Sequence, residues 1–178
     1  MTSAIDTQPT PATGSTVRLA RLVQLTIALF ARIPDSLIAF VGRFSIAAVF
    51  WKSGQTKIEG LAIDLIGGRF ELGIPTLADS TLMLFQYEYQ IPLLPTLLAA
   101  VLATVAEHVF PILILVGLAT RFSALALLIM TLVIQVFVYP SAYPTHGVWA
   151  AVLLYLIAKG PGALSIDHWI ARRYRAAV

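Results

Sequence analysis

The chain has 178 residues, of which 58% are hydrophobic and only 12% charged, and its mean hydropathy is +0.85. A soluble domain carries about a quarter charged residues, so this composition excludes a dissolved globular enzyme and points to a single membrane-embedded domain. The absence of cysteine excludes disulfides, thiolate-held iron–sulfur clusters and covalently attached haem. The net charge of +3 comes from cations at the ends of apolar segments, not from a basic patch interleaved with aromatics, which argues against a nucleic-acid partner.

Residues 1–16 are rich in Ser, Thr, Pro and Gly and read as a disordered tail. From Val17 to Ile33, Leu19, Leu22, Val23, Ile27 and Phe30 recur at helical spacing, with Arg18, Arg21 and Arg32 on the other face. This is the pattern of a basic amphipathic helix lying on an anionic membrane surface. A signal peptide is the rival reading, but Gln24 and Thr26 interrupt the apolar run and no small-residue cleavage motif follows.

Pro34, Asp35 and Ser36 break the chain and offer an N-cap before the first span, Leu37 to Trp51. The segment from Gln55 to Ile91 is acidic and too apolar to float free, so it is expected to fold back as short helical pieces over the bundle mouth. Thr96 to Thr120 and Phe122 to Tyr139 are the second and third spans. His146 to Ala158 is short for a fourth and must borrow from Tyr143 and Pro144. Lys and Arg flank the first span's start, the turn at Arg121 and the region after Ala158, which places both termini in the cytoplasm.

The expected fold is therefore all-α: a polytopic four-helix membrane bundle over residues 34–170. It is preceded by the tail and the 17–33 helix, carries a long outer loop with short helices, and ends in a basic tail, 171–178.

An ionisable residue inside a span is expensive and needs a partner or a task. Arg43 lies about 13 Å below the outer end of the first span and Glu107 about 18 Å below the outer start of the second, so the two are expected to pair near the midplane. Ala99, Ala100, Ala103 and Thr104 share the face of Glu107 and make it an interhelical contact. Thr131, Gln135 and Tyr139 form a polar stripe on the third span. The fourth opens with His146 and Trp149, and the first ends in Trp51, Lys52 and Ser53. Read by depth, these residues form a polar crevice open to the outside.

Each has a plainer reading. Arg43 with Glu107 can simply fix helix register, Gln135 and Thr131 can be interhelical hydrogen bonders, His146 can hold a loop, and Trp51 and Trp149 can be interfacial anchors. No metal-ligand cluster is evident. Two histidine ligands to a haem are disfavoured, because His108 and His146 differ in depth by about 20 Å.

Four stretches carry a family resemblance. They are Phe50-Trp51-Lys52-Ser53-Gly54-Gln55-Thr56-Lys57, Ala106-Glu107 followed by Pro111, the Gly117-Leu118-Ala119-Thr120-Arg121 turn, and the closing Gly160-Pro161-Gly162-Ala163-Leu164-Ser165-Ile166-Asp167. In this order, over Leu37 to Trp169, they resemble the DoxX family of small bacterial four-helix membrane proteins. The stretch Gln135 to Pro140, with Tyr143-Pro144-Thr145-His146 and Trp149, looks like the DoxX subgroup found beside multinuclear non-haem iron peptide-modifying enzymes. The resemblance implies a bacterial inner-membrane protein associated with membrane redox systems. Among these are a thiosulfate:quinone oxidoreductase subunit and an assembly with superoxide dismutase and a sulfurtransferase.

The expectation that follows is a membrane subunit or accessory of a redox or metal-stress pathway, embedded in the lipid bilayer beside a protein partner and open to homo-oligomerisation. It would bind quinone among Arg43, Lys52, Glu107, Thr131, Gln135, Tyr139, His146 and Trp149. Two other classes stand beside it: a non-catalytic anchor or assembly platform for a soluble enzyme, and a small-solute transporter that uses the charged pair.

Overall fold

In the apolar stretch that opens at Thr96, the small and polar Ala99, Ala100, Thr104 and Glu107 mark the buried face while most of the large aliphatics point away. The computed structural model describes residues 14–64, 67–92 and 94–175. The expected tail falls largely on residues 1–13, outside the described residues, as do 176–178. Residues 1–34 form one unit and 35–178 another. In the first, α1 runs over Gly14–Phe30, beginning within the expected tail and ending three residues before the expected 17–33 helix does, with Thr26 bonding back to the Leu22 carbonyl at 3.0 Å.

The second unit contains α2 (Asp35–Gln55), a hairpin of β1 (Ile58–Asp64) and β2 (Arg69–Leu77), and a short α3 (Asp79–Met83) that widens into a π-helical segment, Leu84–Tyr89. There follow α4 (Thr96–Val116), α5 (Thr120–Val133) running into a second π-segment, Ile134–Val138, α6 (Tyr143–Lys159) and α7 (Ile166–Arg175). Helix α2 packs on α4, α4 on α5, α5 on α6 and α6 on α2, which closes a four-helix ring.

The core holds Ala39, Ile46, Ala47 and Phe50 of α2, Ile114 of α4, Ala124 and Leu127 of α5, and Leu153 and Leu156 of α6. Leu97, Leu98, Val101, Leu102 and Val105 of α4 stay exposed, as a helix does when its outer solvent is hydrocarbon and its close contacts need small residues. Among the described residues three helices, α2, α4 and α5 with its π-extension, are long and apolar enough to cross a membrane. Helix α6 begins at Tyr143, as the short fourth span requires, and its 17 residues lie at the lower limit of span length.

The region after α2 differs from expectation in its first half. Residues 58–77 form an antiparallel hairpin pairing Ile58 with Leu77, Leu61 with Leu72, and Asp64 with Arg69. Only from Asp79 onward is the segment helical. Gly60, at φ +80°, is required at the bulge, because a Cβ there would stand 2.5 Å from the Ile74 carbonyl oxygen. The chain then returns to its point of departure: the Ala78 amide and the Thr81 hydroxyl both donate to the Lys57 carbonyl at 3.0 Å. Phe85 packs on Ala99 and Ala100, so α3 and its π-segment cover the part of α4 that α2 does not reach.

The helix stagger corrects another expectation. Ser53 lies against Glu107 and Arg43 against Leu115, so α2 ends level with the middle of α4. Arg43 is thus about eight residues, or about 12 Å, further along the α4 axis than Glu107, and the two do not pair. The depth estimate failed because it set the ends of the two helices at one level.

Candidate functional site

Where α2 stops, Lys57 turns inward and meets Glu107 with Nζ–Oε2 at 2.6 Å. The ammonium also donates to the Ser53 carbonyl at 3.2 Å and the Ser53 hydroxyl at 3.0 Å. That hydroxyl in turn donates to Oε1 of Glu107 at 3.1 Å. Lys57 and Glu107 are 4% and 3% exposed, so neither charge is screened by water, and every ammonium hydrogen and both carboxylate oxygens are engaged. Glu107 is roughly 16 Å from the start of α4 and roughly 14 Å from its end. The ion pair therefore sits at mid-depth, at the interruption between α2 and α3. Irregular backbone at such depth is tolerated where it is enclosed by protein.

Beside the pair, Gly54 permits the close approach of α2 to α4, since a Cβ there would lie 2.8 Å from the His108 ring. Nδ1 of His108 is 2.7 Å from the Thr104 carbonyl and can only donate there. In the neutral ring Nε2 is then the acceptor, and it receives the Gln55 amide at 3.0 Å. Oε1 of Gln55 accepts from the Ile63 amide at 2.7 Å. The Trp51 indole donates to the Ile63 carbonyl at 3.0 Å and meets the His108 ring edge-on at 5.2 Å. The tautomer of His108 and the position of β1 are thereby linked through one amide side chain.

The second polar group lies where the two π-segments touch. The wide turns bond Gln90 N to Phe85 O and Tyr139 N to Ile134 O, and they swing Glu88, Tyr89, Gln135 and Tyr139 together. The Tyr139 hydroxyl donates to the Glu88 carboxylate, and its ring stands edge-on to Tyr89 at 5.7 Å. The hydrogen bond to Glu88, and then burial, push the Tyr139 phenol well above its usual range. Tyr89 is raised first by burial, against its contact with Tyr139, with the charges of Glu107 and Glu88 adding. Gln135 bonds His146 Nδ1 through Oε1 at 2.7 Å and donates from Nε2 to the Pro140 carbonyl at 2.7 Å. Trp149 packs on His146 at 5.0 Å and on Phe50 at 5.5 Å, inside the bundle more than at its rim.

Of the expected site residues, Gln135, Tyr139, His146 and Trp149 come together, and Glu107 joins Ser53. Arg43 is elsewhere, donating to the carbonyls of Leu115 at 2.8 Å, Ile114 at 3.3 Å and Leu164. It caps the C-terminus of α4. Lys52 is exposed and stays outside the polar group; the lysine that enters it is Lys57, which is buried against Glu107. Thr131 bonds only the Leu127 carbonyl of its own helix, at 2.8 Å, so it makes no bond across helices. Among the described residues, no group of three or more His, Asp or Glu side chains gathers to hold a metal.

This arrangement can be set beside known families. The DoxX profile matches residues 38–140. The chain belongs to the DoxX family. No curated protein and no solved structure matches it. Family membership and the apolar helices make it a multi-pass membrane protein. The DoxX match contains Lys57, Glu107, Glu88, Gln135 and Tyr139, whereas His146, Trp149 and α7 lie beyond it.

Lys57, Glu88 and Tyr89 are the site residues that sequence reasoning missed. For Lys57 a signal existed: only it and Arg69 are basic in the acidic stretch from Gln55 to Ile91, and a lone lysine there is a natural counter-ion for Glu107.

Proposed function

We propose that this DoxX protein is the membrane subunit of a redox pathway in the bacterial inner membrane, with both termini in the cytoplasm and the hairpin end outside. In this reading it holds a quinone head group at the edge formed by the two π-segments and the start of α6. The observation that carries the reading is the convergence of an amide, an imidazole, a phenol and a carboxylate, Gln135, His146, Tyr139 and Glu88, at an edge where Val136 and Phe137 face outward.

A quinone supplies two-electron chemistry, takes up two protons on reduction, and draws its electrons from the redox centre of a partner protein. The chain contributes positioning and protons. Nε2 of Gln135 can leave the Pro140 carbonyl, which sits on an exposed loop, and donate to a quinone oxygen. Tyr139 and Glu88 share a proton at the outer surface, and His146 steadies the Gln135 amide.

The test is titration of the purified chain with a short-tailed quinone. Trp149 lies against His146, so a saturable quench of tryptophan fluorescence is expected, and Gln135→Leu should weaken it by about tenfold, the worth of one hydrogen bond in a dry site. A linear, unsaturable quench overturns the reading.

A second reading, an assembly platform for a soluble partner, draws on the hairpin, where Phe70, Leu72 and Ile74 share one face and are 61%, 84% and 86% exposed. It predicts that Leu72→Glu abolishes partner capture and leaves any quinone quench unchanged. The transporter reading rested on a pair between Arg43 and Glu107 that is not formed.

A further inference from the structure

Helix α7 has an unusual surface for the end of a membrane bundle. Ile166, Trp169, Ile170, Arg173 and Tyr174 recur at spacings of three and four and share one face. Trp169 is 59% exposed and Tyr174 74%, and with Ile170 and Arg173 they line an open groove. The Arg173 guanidinium lies over the Trp169 ring, 5.4 Å from its centroid. By helical spacing Arg172 lies beside Trp169 at the edge of this face, and His168 lies on the other side. Among the described residues, no other element of the bundle covers the aromatic face.

The helix is nevertheless held in place. Asp167 accepts from the Ala119 and Thr120 amides at 2.8 and 2.9 Å, and its own amide donates to the Gly117 carbonyl at 2.8 Å. This anchors α7 to the turn between α4 and α5. It also engages the only carboxylate on the helix, which leaves the arginines as the uncompensated charge.

Two observations choose the occupant of the exposed face. The lipid-facing surface runs up to it, through Leu115 and Val116 at the end of α4, Phe122 at the start of α5, and Leu164 just before α7, all exposed. The charge at its margins is cationic, so two copies of the chain meeting there would set arginine against arginine, whereas a phosphate-bearing surface would pair with both. We propose that α7 is an interfacial anchor for anionic phospholipid, its Ile166, Trp169, Ile170 and Tyr174 face entering the acyl boundary while Arg172 and Arg173 bind headgroup phosphates.

Because the chain contains no cysteine, a single nitroxide on Ile170→Cys reports this face in the whole protein. The label is compared in phosphatidylcholine vesicles with and without phosphatidylglycerol. The expected result is a several-fold higher ratio of oxygen to nickel-chelate collisions when phosphatidylglycerol is present. The gain should vanish in Arg172→Glu/Arg173→Glu and return in Arg172→Lys/Arg173→Lys, with Asp167 intact throughout so that the tether to the bundle survives.

An equal ratio in both vesicles overturns the requirement for anionic lipid. A label open to the nickel chelate in both overturns membrane contact altogether. A label shielded from both reagents means that a protein, such as a second copy of the chain, covers the face, and overturns the proposal in favour of that contact.

Discussion

Among the described residues two cations, Arg43 and Lys57, are buried in this bundle, one at the α7 end and one at mid-depth toward the hairpin side, and they are satisfied in opposite ways. Arg43, 1% exposed, donates to backbone carbonyls at the end of α4 and in the loop before α7, where the helix terminus already carries partial negative charge. The acceptors are backbone carbonyls, which do not titrate, so the contact acts as a permanent cap. Lys57 faces a carboxylate and a hydroxyl at the break in the helical column, where a single proton on Glu107 would cancel the attraction. An end built for permanence thus contrasts with a hairpin-side half whose charge state can change. The second is where the π-segments, the tyrosines and His146 collect.

The sharpest way to break the comparison is to remove one partner of the Lys57–Glu107 pair. Lys57→Met or Glu107→Leu leaves a lone buried charge, and each should destabilise the bundle by about 3–5 kcal/mol. The double variant should recover most of that loss, because two apolar side chains need no counter-ion. Denaturant unfolding in detergent micelles measures all three. If the double variant is as unstable as the singles, the pair is not the reason the singles fail.

At the other end, Arg43→Met should cost about 2–4 kcal/mol, since three carbonyls lose charge-assisted donors at once. The informative measurement is its combination with Glu107→Gln. The two sites share no partner and lie about 12 Å apart along the helix axis, so their effects should add to within about 0.5 kcal/mol. Strong coupling between them would instead restore the direct pairing that the sequence suggests.

That pairing shows where sequence reading reached its limit. The buried face of α4 was legible, because Ala99, Ala100 and Thr104 mark it by size and spacing, and all are buried with Glu107. So were the extent of α6 from Tyr143 and the convergence of Gln135, Tyr139 and His146. Helix stagger was not, because α4 is apolar on both sides of the level at which α2 ends, and nothing local fixes that level. The hairpin was in principle readable: Leu61 and Ile63, then Phe70, Leu72 and Ile74, alternate about Gly67-Gly68, the period of strands. In an otherwise helical chain that short alternation was outweighed. The π-segments left no mark at all, since a widened turn depends on which tertiary contact rewards it and not on residue type.

The smallest effect concerns Tyr139, and it tests whether the hairpin end responds to protons. Its phenol is raised above the ordinary range first by the hydrogen bond to Glu88, so the folded state holds this proton more tightly than the unfolded chain does. The stability this supplies is complete below about pH 10, the unperturbed tyrosine value, and is lost as pH rises through the raised value. Tyr139→Phe should therefore lower the neutral plateau of the unfolding profile slightly, the loss being small because the side chain is partly exposed, flatten the alkaline limb by the same amount, and remove one late-titrating phenolate from the ultraviolet absorbance. Glu88→Gln should bring the Tyr139 transition back toward the ordinary value without removing it. If the late transition survives Tyr139→Phe intact, Tyr89 carries it, and the proton shared with Glu88 is not what distinguishes this end of the bundle.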